Sequence, residues 1–241
     1  MRYAWDQFDA YFGSHRVGKI QNRLYRLAFR QLARWDASTS ARVNQYVAIS
    51  HYVAERIRRY YNREATVVHP PVDTTFFCPS GSAPGPYFLI VSALVPYKKV
   101  DIAIEACHMA GVPLRVAGDG PERDRLQSLA GPEVEFMGSC SDDEIRDLYR
   151  GTQALILPGE EDFGIAPVEA LACGRPVVGL SRGGVTETVS DNKTGVLVNE
   201  PTAEALAEGI VKITENSFDP DYVREHSLQF SLTRFHDTMR T

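Results

Sequence analysis

The sequence predicts an α/β protein built on a doubly wound parallel β-sheet. Between residues 87 and 198, short apolar and β-branched runs alternate with stretches of helical periodicity. The connections are short, and such alternation is typical of parallel strands joined by crossover helices. The predicted strands cover residues 87–91, 114–117, 134–137, 154–157, 176–180 and 195–198.

Helical patterns separate and follow these strands. They lie near residues 100–110, 121–130, 142–150, 165–173, 184–190 and 202–215. Ligands of doubly wound sheets bind beyond the carboxyl ends of the strands. We therefore expect the functional residues in the segments that directly follow strands.

The first quarter of the chain differs from the rest in charge and organisation. Residues 1–64 hold twelve Lys/Arg and five Asp/Glu, a net +7, whereas residues 65–241 hold fourteen and twenty-six, a net −12. Strands are predicted at residues 45–50 and 65–69, around a helix at 51–62. Two strands do not make a self-sufficient sheet, and the charge asymmetry suggests two segments with different partners.

Length and composition are typical of a soluble globular protein. The chain has 241 residues, of which 44% are hydrophobic and 24% charged, enough to bury a sizeable core. No apolar run approaches the roughly 18 residues of a membrane span, and no signal peptide opens the chain. The cysteines stand singly, without the spacing of metal or redox sites. We therefore expect a cytoplasmic protein.

The clearest functional signal lies in residues 161–174. Glu161 and Glu169 are eight positions apart, and Gly164 stands at the predicted start of a helix between them. The first turn of a helix leaves N–H groups unpaired at the positive end of the helix dipole, so the amides of residues 164–166 would form an anion site. An anion flanked by carboxylates that accept hydrogen bonds from hydroxyls is the chemistry of a sugar nucleotide.

This segment and its neighbours resemble the donor half of family-4 retaining glycosyltransferases of GT-B architecture. The resemblance runs from about Tyr46 to Val198 and implies a Rossmann-like donor domain. The matching blocks occur in the family's order. They are residues 91–99 (VSALVPYKK), 116–121 (VAGDGP), 134–138 (VEFMG), the glutamate pair at 161–174, 174–178 (GRPVV), 183–187 (GGVTE) and 194–198 (TGVLV).

The resemblance implies roles for particular residues. Glu161 would hold hydroxyls of the transferred sugar, and Lys98 and the amides of residues 164–166 would bind the diphosphate. Lys98 and Glu161 are therefore the catalytic candidates. Glu169 would hold the ribose, and the loop at residues 137–138 would border the base. The donor-binding candidates are Glu169, Gly164, Ile165, Ala166, Phe163, Lys99, Gly118, Asp119, Gly120, Met137 and Gly138.

The resemblance also implies a reaction. A sugar would be transferred from a nucleotide diphosphate with retention of configuration and without a metal cofactor. The run at residues 95–98 resembles mannosyltransferases of lipopolysaccharide and exopolysaccharide synthesis, which suggests GDP-mannose as donor and a glycan or lipid-linked acceptor; no nucleic acid partner is expected. One position departs from the family, because Ala93 stands where many relatives have arginine. We expect Lys99 to replace part of that charge, although lysine lacks arginine's bidentate fork.

These patterns divide the chain into four parts. Residues 1–72 are expected to be the remnant of an acceptor-binding domain, 73–86 a linker, 87–215 the donor domain and 216–241 a C-terminal helical segment. Because the first residues resemble an internal stretch of relatives, we expect a truncated chain that lacks most of the acceptor domain's sheet. Holding an acceptor in place can supply about 7–11 kcal/mol of a barrier. We therefore expect little or no transfer by this chain alone.

Two other functions remain open from the sequence. A nucleotide-sugar-binding fragment without transfer activity would follow from the incomplete acceptor domain. A sugar-nucleotide 2-epimerase shares the architecture, but Phe163 and Gly164 between the two glutamates favour the transferase. Release of free epimerised sugar without any acceptor would favour the epimerase.

Three of the motifs also have simpler structural interpretations. Residues 118–121 could be only a strand-to-helix turn with Pro121 at the first helical position. Lys98 and Lys99 could be solvated charges, although their place after an apolar strand favours a functional role for Lys98. Glu187 could cap a helix or pair locally.

The D-x-D motif at residues 219–221 has the form that metal-dependent transferases use on a diphosphate. Pro220, however, is typical of the first position of a helix and Asp219 of its N-cap. The histidines show no ligand spacing. We therefore expect no metal site.

A basic stripe is predicted on a helix near the start of the chain. Lys19, Arg23, Arg26, Arg30 and Arg34 recur at helical spacing, beside an apolar face formed by Ile20, Leu24, Leu27, Ala28 and Leu32. One interpretation is peripheral binding to anionic lipid at the inner face of the membrane. The other is a helix whose apolar face packs on the protein and whose arginines are merely solvated.

Overall fold

The computed structural model describes residues 18–240 together with Phe8 and Phe12. The continuous described range opens with a long helix, α1 (Lys19–Thr39), and a short 3-10 turn follows it at Ser40–Arg42. Two parallel strands follow, β1 (Tyr46–Ala48) and β2 (Ala65–Val67), with helix α2 (His51–Tyr61) between them. No helix in the described ranges combines the length and apolar character needed to cross a bilayer.

A six-stranded parallel sheet forms the larger part of the molecule. Its strands are β3 (Phe88–Val91), β4 (Leu114–Ala117), β5 (Val134–Gly138), β6 (Leu155–Leu157), β7 (Val177–Leu180) and β8 (Gly195–Val198). The spatial order is β5-β4-β3-β6-β7-β8, and each pair is parallel. The order therefore reverses between β3 and β6, which is the switch point of a doubly wound sheet.

Helices cover both faces of this sheet. They are α3 (Val100–Ala110), α4 (Arg123–Leu129), α5 (Asp142–Gly151), α6 (Ile165–Ala172), α7 (Val185–Thr188), α8 (Ala203–Glu215), α9 (Pro220–Ser227) and α10 (Leu232–Arg240). Helices α3 and α8 pack on one face, and α5, α6 and α9 on the other. The predicted fold class is confirmed.

The core explains why the strands are apolar on both sides. Phe88 and Ile90 of β3 belong to the cluster with α3 and α8, while Leu89, which lies between them in sequence, belongs to the cluster with α5 and α6. All three are essentially inaccessible to solvent. A parallel strand covered by helices on both faces needs such a continuous apolar run.

The sequence-derived elements agree closely with the structure. Every predicted strand is present to within two residues at each end, including the pair at residues 46–48 and 65–67. One helix start differs, because α4 begins at Arg123 and Pro121 lies two residues before it rather than at the first helical position. As predicted, Pro220 opens a helix and Asp219 caps it, accepting a hydrogen bond from the backbone N–H of Asp221 at 3.0 Å.

Arginines hold residues 73–86 against the sheet domain. Arg224 of α9 donates to the carbonyl oxygens of Thr74 and Phe77, and Arg175 donates to that of Ser82. Guanidinium groups are suited to this task because they offer several donors in a fixed plane. The segment is therefore fixed by side-chain contacts along its length although it has no helix or strand.

Glu187 joins the first segment to the sheet domain. Its carboxylate accepts hydrogen bonds from the backbone N–H groups of His51 and Tyr52, at 2.9 and 3.0 Å, and lies 3.0 Å from Nε2 of His69. The interpretation of Glu187 as a local cap is therefore wrong, because its partners are more than 100 positions away in sequence. A carboxylate at the N-terminus of α2 also interacts favourably with the helix dipole.

The environment of Glu187 favours its charged form. Burial acts to raise the pKa of Glu187, but the hydrogen bonds from His51, Tyr52 and His69 outweigh it and leave the pKa below the ordinary value. A carboxyl whose pKa is lower in the folded than in the unfolded chain stabilises the fold above its unfolded pKa, about 4.3 for Glu. That stabilisation is lost as pH falls through the folded pKa.

We expect Glu187→Gln to destabilise the protein at neutral pH by roughly 1–3 kcal/mol, because the glutamine puts an NH2 donor in place of one of the two oxygens that accept from backbone N–H groups. The measurement is chemical unfolding of both proteins from pH 7 down to pH 3. The difference between them should shrink as pH falls from the unfolded pKa of Glu, about 4.3, through the lowered pKa of folded Glu187. Glu55→Gln is the control, since the exposed pair of Glu55 with Arg58 contributes little. A difference that is constant over this range would contradict the assignment.

Candidate functional site

A cleft of about 510 Å³ lies at the switch point of the six-stranded sheet. Residues at the carboxyl ends of β3 and β6 form its floor, and the start of α6 forms one wall. This is where a doubly wound sheet binds its ligands. The cleft is lined by Ile49, Pro70, Val91, Ser92, Tyr97, Lys98, Leu157, Glu161, Asp162, Phe163, Gly164, Ile165, Ala166 and Pro167.

An ion pair between Lys98 and Glu161 lies in this cleft. Lys98 ends the 3-10 turn that follows β3, and its ammonium group donates to Oε1 of Glu161. The side chains are 19% and 13% exposed, and the ammonium group lies 5.1 Å from the centre of the Tyr97 ring. Lys98 is therefore not a solvated surface charge. The two residues that the sequence predicts to be catalytic, Lys98 and Glu161, are in direct contact.

The N-terminus of α6 provides the second charged feature of the cleft. Gly164 is its N-cap, with φ of 90°, and a glycine offers no side chain to satisfy the first N–H groups of the helix. Ile165 and Ala166 both line the cleft. Their amides and the helix dipole favour an anion at this end of the cleft.

The loop that carries Glu161 is held from the first segment of the chain. The hydroxyl of Ser50 donates to the carbonyl oxygen of Asp162, and Arg56 binds the Asp162 carboxylate at 2.8 Å. The hydroxyl of Tyr52 donates to the carboxylate of Glu160. Side chains of the α2 N-cap and of the first two turns of α2 therefore fix the loop at residues 160–162.

The same loop is held from the opposite side by the turn after β7. The N–H of Gly184 donates to the carbonyl oxygen of Glu161 at 2.8 Å. A Cβ atom on Gly183 would lie 2.3 Å from that oxygen, and one on Gly184 would lie 2.3 Å from Cα of Phe163. Only glycines allow this approach, so the pair at 183–184 sets the position of Glu161.

Glu169 lies further along α6 and contacts α5 instead of the cleft. Its Oε2 accepts a hydrogen bond from the hydroxyl of Tyr149 at 2.8 Å, and Tyr149 is fully buried. Burial raises the pKa of Glu169, although the hydrogen bond from Tyr149 acts in the opposite direction. Burial, followed by the nearby carboxylate, raises the pKa of Tyr149 as well. Tyr149 therefore remains a hydrogen-bond donor and orients the carboxyl group.

Two other candidate loops lie beside the cleft without lining it. The N–H of Gly118 donates to the carbonyl oxygen of Gly138 at 2.7 Å, which joins the ends of β4 and β5. The carboxylate of Asp119 accepts from the N–H of Gly120 at 2.7 Å, which lowers its pKa, and pairs with Arg123 at 2.8 Å.

The structure thus separates the sequence candidates into two groups. Lys98, Glu161 and residues 163–166 line one cleft. The remaining candidates do not line it: Glu169, Lys99, Gly118, Asp119, Gly120, Met137 and Gly138. Of these, Lys99 is exposed and has φ of 56°.

Sequence reasoning missed the residues that support the site from a distance. Ser50, Tyr52 and Arg56 contact the loop at residues 160–162 across more than 100 positions. The ring of His69 stacks on Phe163 with 5.4 Å between ring centres and 22° between planes. Ser50 also caps α2, and serine is a preferred N-cap residue. Among these supporting residues, Ser50 is therefore the one whose position at the helix start could be read from the local sequence.

The fold and the cleft define a doubly wound α/β domain with its ligand site at the switch point. The family of glycosyl transferases group 1 matches residues 79–229. The chain belongs to this family, and its fold is that of the GT-B glycosyltransferases.

Individual relatives are similar at moderate identity. An uncharacterized glycosyltransferase of Methanocaldococcus jannaschii is 26% identical over 193 residues, 78% of this chain and 54% of the relative. The GDP-mannose-dependent alpha-(1-6)-phosphatidylinositol monomannoside mannosyltransferase of Mycolicibacterium smegmatis is 27% identical over 81% of this chain and 58% of the relative. The chain thus spans a little over half the length of these two relatives.

A solved structure, Anabaena HepE in complex with UDP, superposes with a TM-score of 0.77 at 22% identity. The match covers 86% of this chain and 66% of HepE. At this identity the likeness concerns the fold.

We expect Gly164→Ala to weaken binding of a diphosphate anion at least about tenfold. An alanine at φ of 90° is strained by roughly 1–2 kcal/mol, and its Cβ would lie 3.2 Å from Cγ of Pro167. The backbone should relax and turn the first amides of α6 away from the cleft. Calorimetry with inorganic pyrophosphate measures the loss.

Gly111→Ala is the matched control. Gly111 has φ of 66° at the end of α3, with open space where a Cβ atom would lie and no part in the cleft. It should lose similar stability but keep its pyrophosphate affinity. Equal affinity in the Gly164 variant and the wild type would show that the α6 amides do not bind the anion.

Proposed function

We propose that this chain binds a nucleotide-diphosphate sugar in the cleft and supplies the donor site of an enzyme that transfers the sugar with retention of configuration. The observation that carries the proposal is the Lys98–Glu161 pair facing the N-terminus of α6. A cation and open amides suit a diphosphate, and a carboxylate beside them suits sugar hydroxyls. Membership of the glycosyl transferases group 1 family supports the reaction class.

The residues divide the donor between them. Lys98 and the amides of residues 164–166 bind the diphosphate, and Glu161 accepts hydrogen bonds from hydroxyls of the transferred sugar. We assign the ribose to Glu169, which lies outside the cleft lining, further along α6, with its carboxyl group oriented by Tyr149. Phe163 lines the cleft beside Glu161. Residues 118–120 and the loop at Met137 and Gly138 border the base, with Lys99 adding charge at the rim.

The catalytic effect is electrostatic. As the bond to the sugar breaks, negative charge grows on the departing diphosphate. Lys98 and the α6 amides are fixed in place before this happens, so they stabilise the charge without reorganising; each such donor contributes about 3–4 kcal/mol in measured cases. We propose attack from the face that the diphosphate leaves, which retains the configuration.

For the donor we propose GDP-mannose. The support is the resemblance of residues 95–98 to mannosyltransferases and the name of the M. smegmatis relative, which is GDP-mannose-dependent. The HepE structure contains UDP, so UDP-sugars are the comparison to make. Ala93, in place of an arginine, leaves Lys98 as the cation that contacts the diphosphate.

For the acceptor we propose a glycan or lipid-linked sugar of polysaccharide biosynthesis, met in the cytoplasm at the inner face of a membrane. A second candidate is binding of a nucleotide sugar without transfer. Release of GDP from GDP-mannose that rises with added glycan acceptor would distinguish the transferase from the binding protein.

We expect GDP to bind without a metal ion, since Lys98 and the helix N-terminus supply the positive charge. Calorimetry with GDP, UDP and ADP in EDTA is the measurement, and GDP should bind most tightly. Lys98→Met should weaken GDP about tenfold or more, because a charge-assisted hydrogen bond contributes roughly 1.5–3 kcal/mol.

Lys193→Met is the control for this experiment. Lys193 is exposed and precedes β8, an edge strand of the sheet, and it does not line the cleft. It should leave GDP affinity unchanged. Binding that requires Mg²⁺ or Mn²⁺ would refute the metal-independent site.

A further inference from the structure

Helix α1 has one packed side and one open side. On the packed side, the ring of Phe29 lies 5.1 Å from that of Phe12, and Ala33 is buried. The carboxylate of Asp36 accepts a hydrogen bond from the hydroxyl of Tyr61 at 2.6 Å. These contacts fix which face of α1 points away from the molecule.

Large apolar side chains occupy the open side. Ile20 is 80% exposed, Leu24 and Trp35 are each 61% exposed, and Leu27 is 60% exposed. At about 100° per residue these four share one face of the helix, opposite the packed side. The expectation that this apolar face packs on the protein is wrong for Ile20, Leu24 and Leu27, while Leu32 is half-buried.

Cations border this apolar face. Lys19, Arg23, Arg26, Arg30 and Arg34 are all exposed and form a stripe beside Ile20 and Leu27. The acidic residue of α1, Asp36, lies on the packed side and binds Tyr61. With five cations and one anion, α1 carries a net charge of +4. The whole chain has a formal net charge of −5, so the residues outside α1 carry −9. The positive charge is therefore concentrated along one border of the exposed apolar face, where the guanidinium of Arg26 also lies 4.6 Å from the centre of the Phe8 ring.

We propose that α1 lies flat in the headgroup region of an anionic lipid bilayer. A lipid surface accepts both features at once: the apolar side chains enter the acyl boundary, and the arginines bind phosphates while their stems stay apolar. A nucleic acid would match the cations but leave Ile20, Leu24, Leu27 and Trp35 without partners. At 21 residues and about 1.5 Å per residue, the helix offers a contact roughly 30 Å long.

Binding to this surface does not depend on the proposed transferase activity. The stripe and the cleft share no residue, so a failure of either proposal leaves the other intact. If both hold, α1 would bring the cleft close to acceptors carried by lipid.

Cosedimentation of the full chain with vesicles tests the proposal. Vesicles of phosphatidylcholine alone are compared with vesicles that also contain phosphatidylglycerol, at low and high salt. We expect binding to the anionic vesicles, weakened by salt because screening shortens the reach of the charges. Replacing the five stripe cations by glutamine should reduce partition about a hundredfold or more, since each contributes about fivefold near an anionic leaflet.

The charge-matched control replaces five exposed cations elsewhere: Arg59, Lys193, Lys212, Arg234 and Arg240. It has the same net charge as the stripe variant and should bind like the wild type. Similar losses in both variants would mean that overall charge, not α1, drives binding, and would overturn the proposal. No binding at low salt would overturn it as well.

A second variant tests the apolar face independently. Ile20→Ser, Leu24→Ser and Leu27→Ser remove exposed side chains, so they should leave the fold intact and reduce binding about tenfold. The fluorescence of Trp35 should shift to the blue on binding, and Trp35→Phe should abolish that shift. The alternative is that a second copy of the chain covers the apolar face. In that case the wild type would dimerise in sedimentation velocity, the serine variant would stay monomeric, and neither would bind vesicles. This result would overturn the proposal.

Discussion

The position of Glu161 depends on hydrogen bonds to the backbone of its own loop from two distant parts of the chain. Ser50 binds the carbonyl of Asp162 from one side, and the N–H of Gly184 binds the carbonyl of Glu161 from the other. Between these contacts the loop cannot shift without leaving a polar group unpaired, which costs about 1–3 kcal/mol. The ion pair with Lys98 and the start of α6 both follow from this placement.

The charges of the cleft balance each other within the protein. Lys98 is paired with Glu161, and both are largely removed from solvent. A diphosphate would draw on the same ammonium group, so its binding weakens the ion pair unless Glu161 gains new donors. Sugar hydroxyls are such donors. In the proposed function, the pair would couple recognition of the sugar to recognition of the diphosphate.

Local pattern predicts the strands and helices because each depends on neighbours in sequence. The apolar run at residues 88–91 and the N-cap at Asp219 are examples. It also places Lys98 and Glu161 together, since both follow strands whose carboxyl ends share one edge. The partners of Glu187 and the exposure of Leu24 depend on how the first segment packs. The hydrophobic periodicity of a sequence does not predict contacts between residues that are far apart in the chain. For the same reason, the sequence did not predict the hydrogen bond between Glu169 and the buried hydroxyl of Tyr149.

The division of labour between the two glutamates is tested most directly by comparing GDP and GDP-mannose in Glu161→Ala and Glu169→Ala by calorimetry. Glu169→Ala should weaken both ligands by a similar factor, since both carry the ribose; a lost hydrogen bond to a carboxylate costs about 1.5–3 kcal/mol. Glu161→Ala should weaken GDP-mannose but not GDP, because Lys98 loses its competing partner. Equal losses for both ligands in both variants would contradict this arrangement of the site.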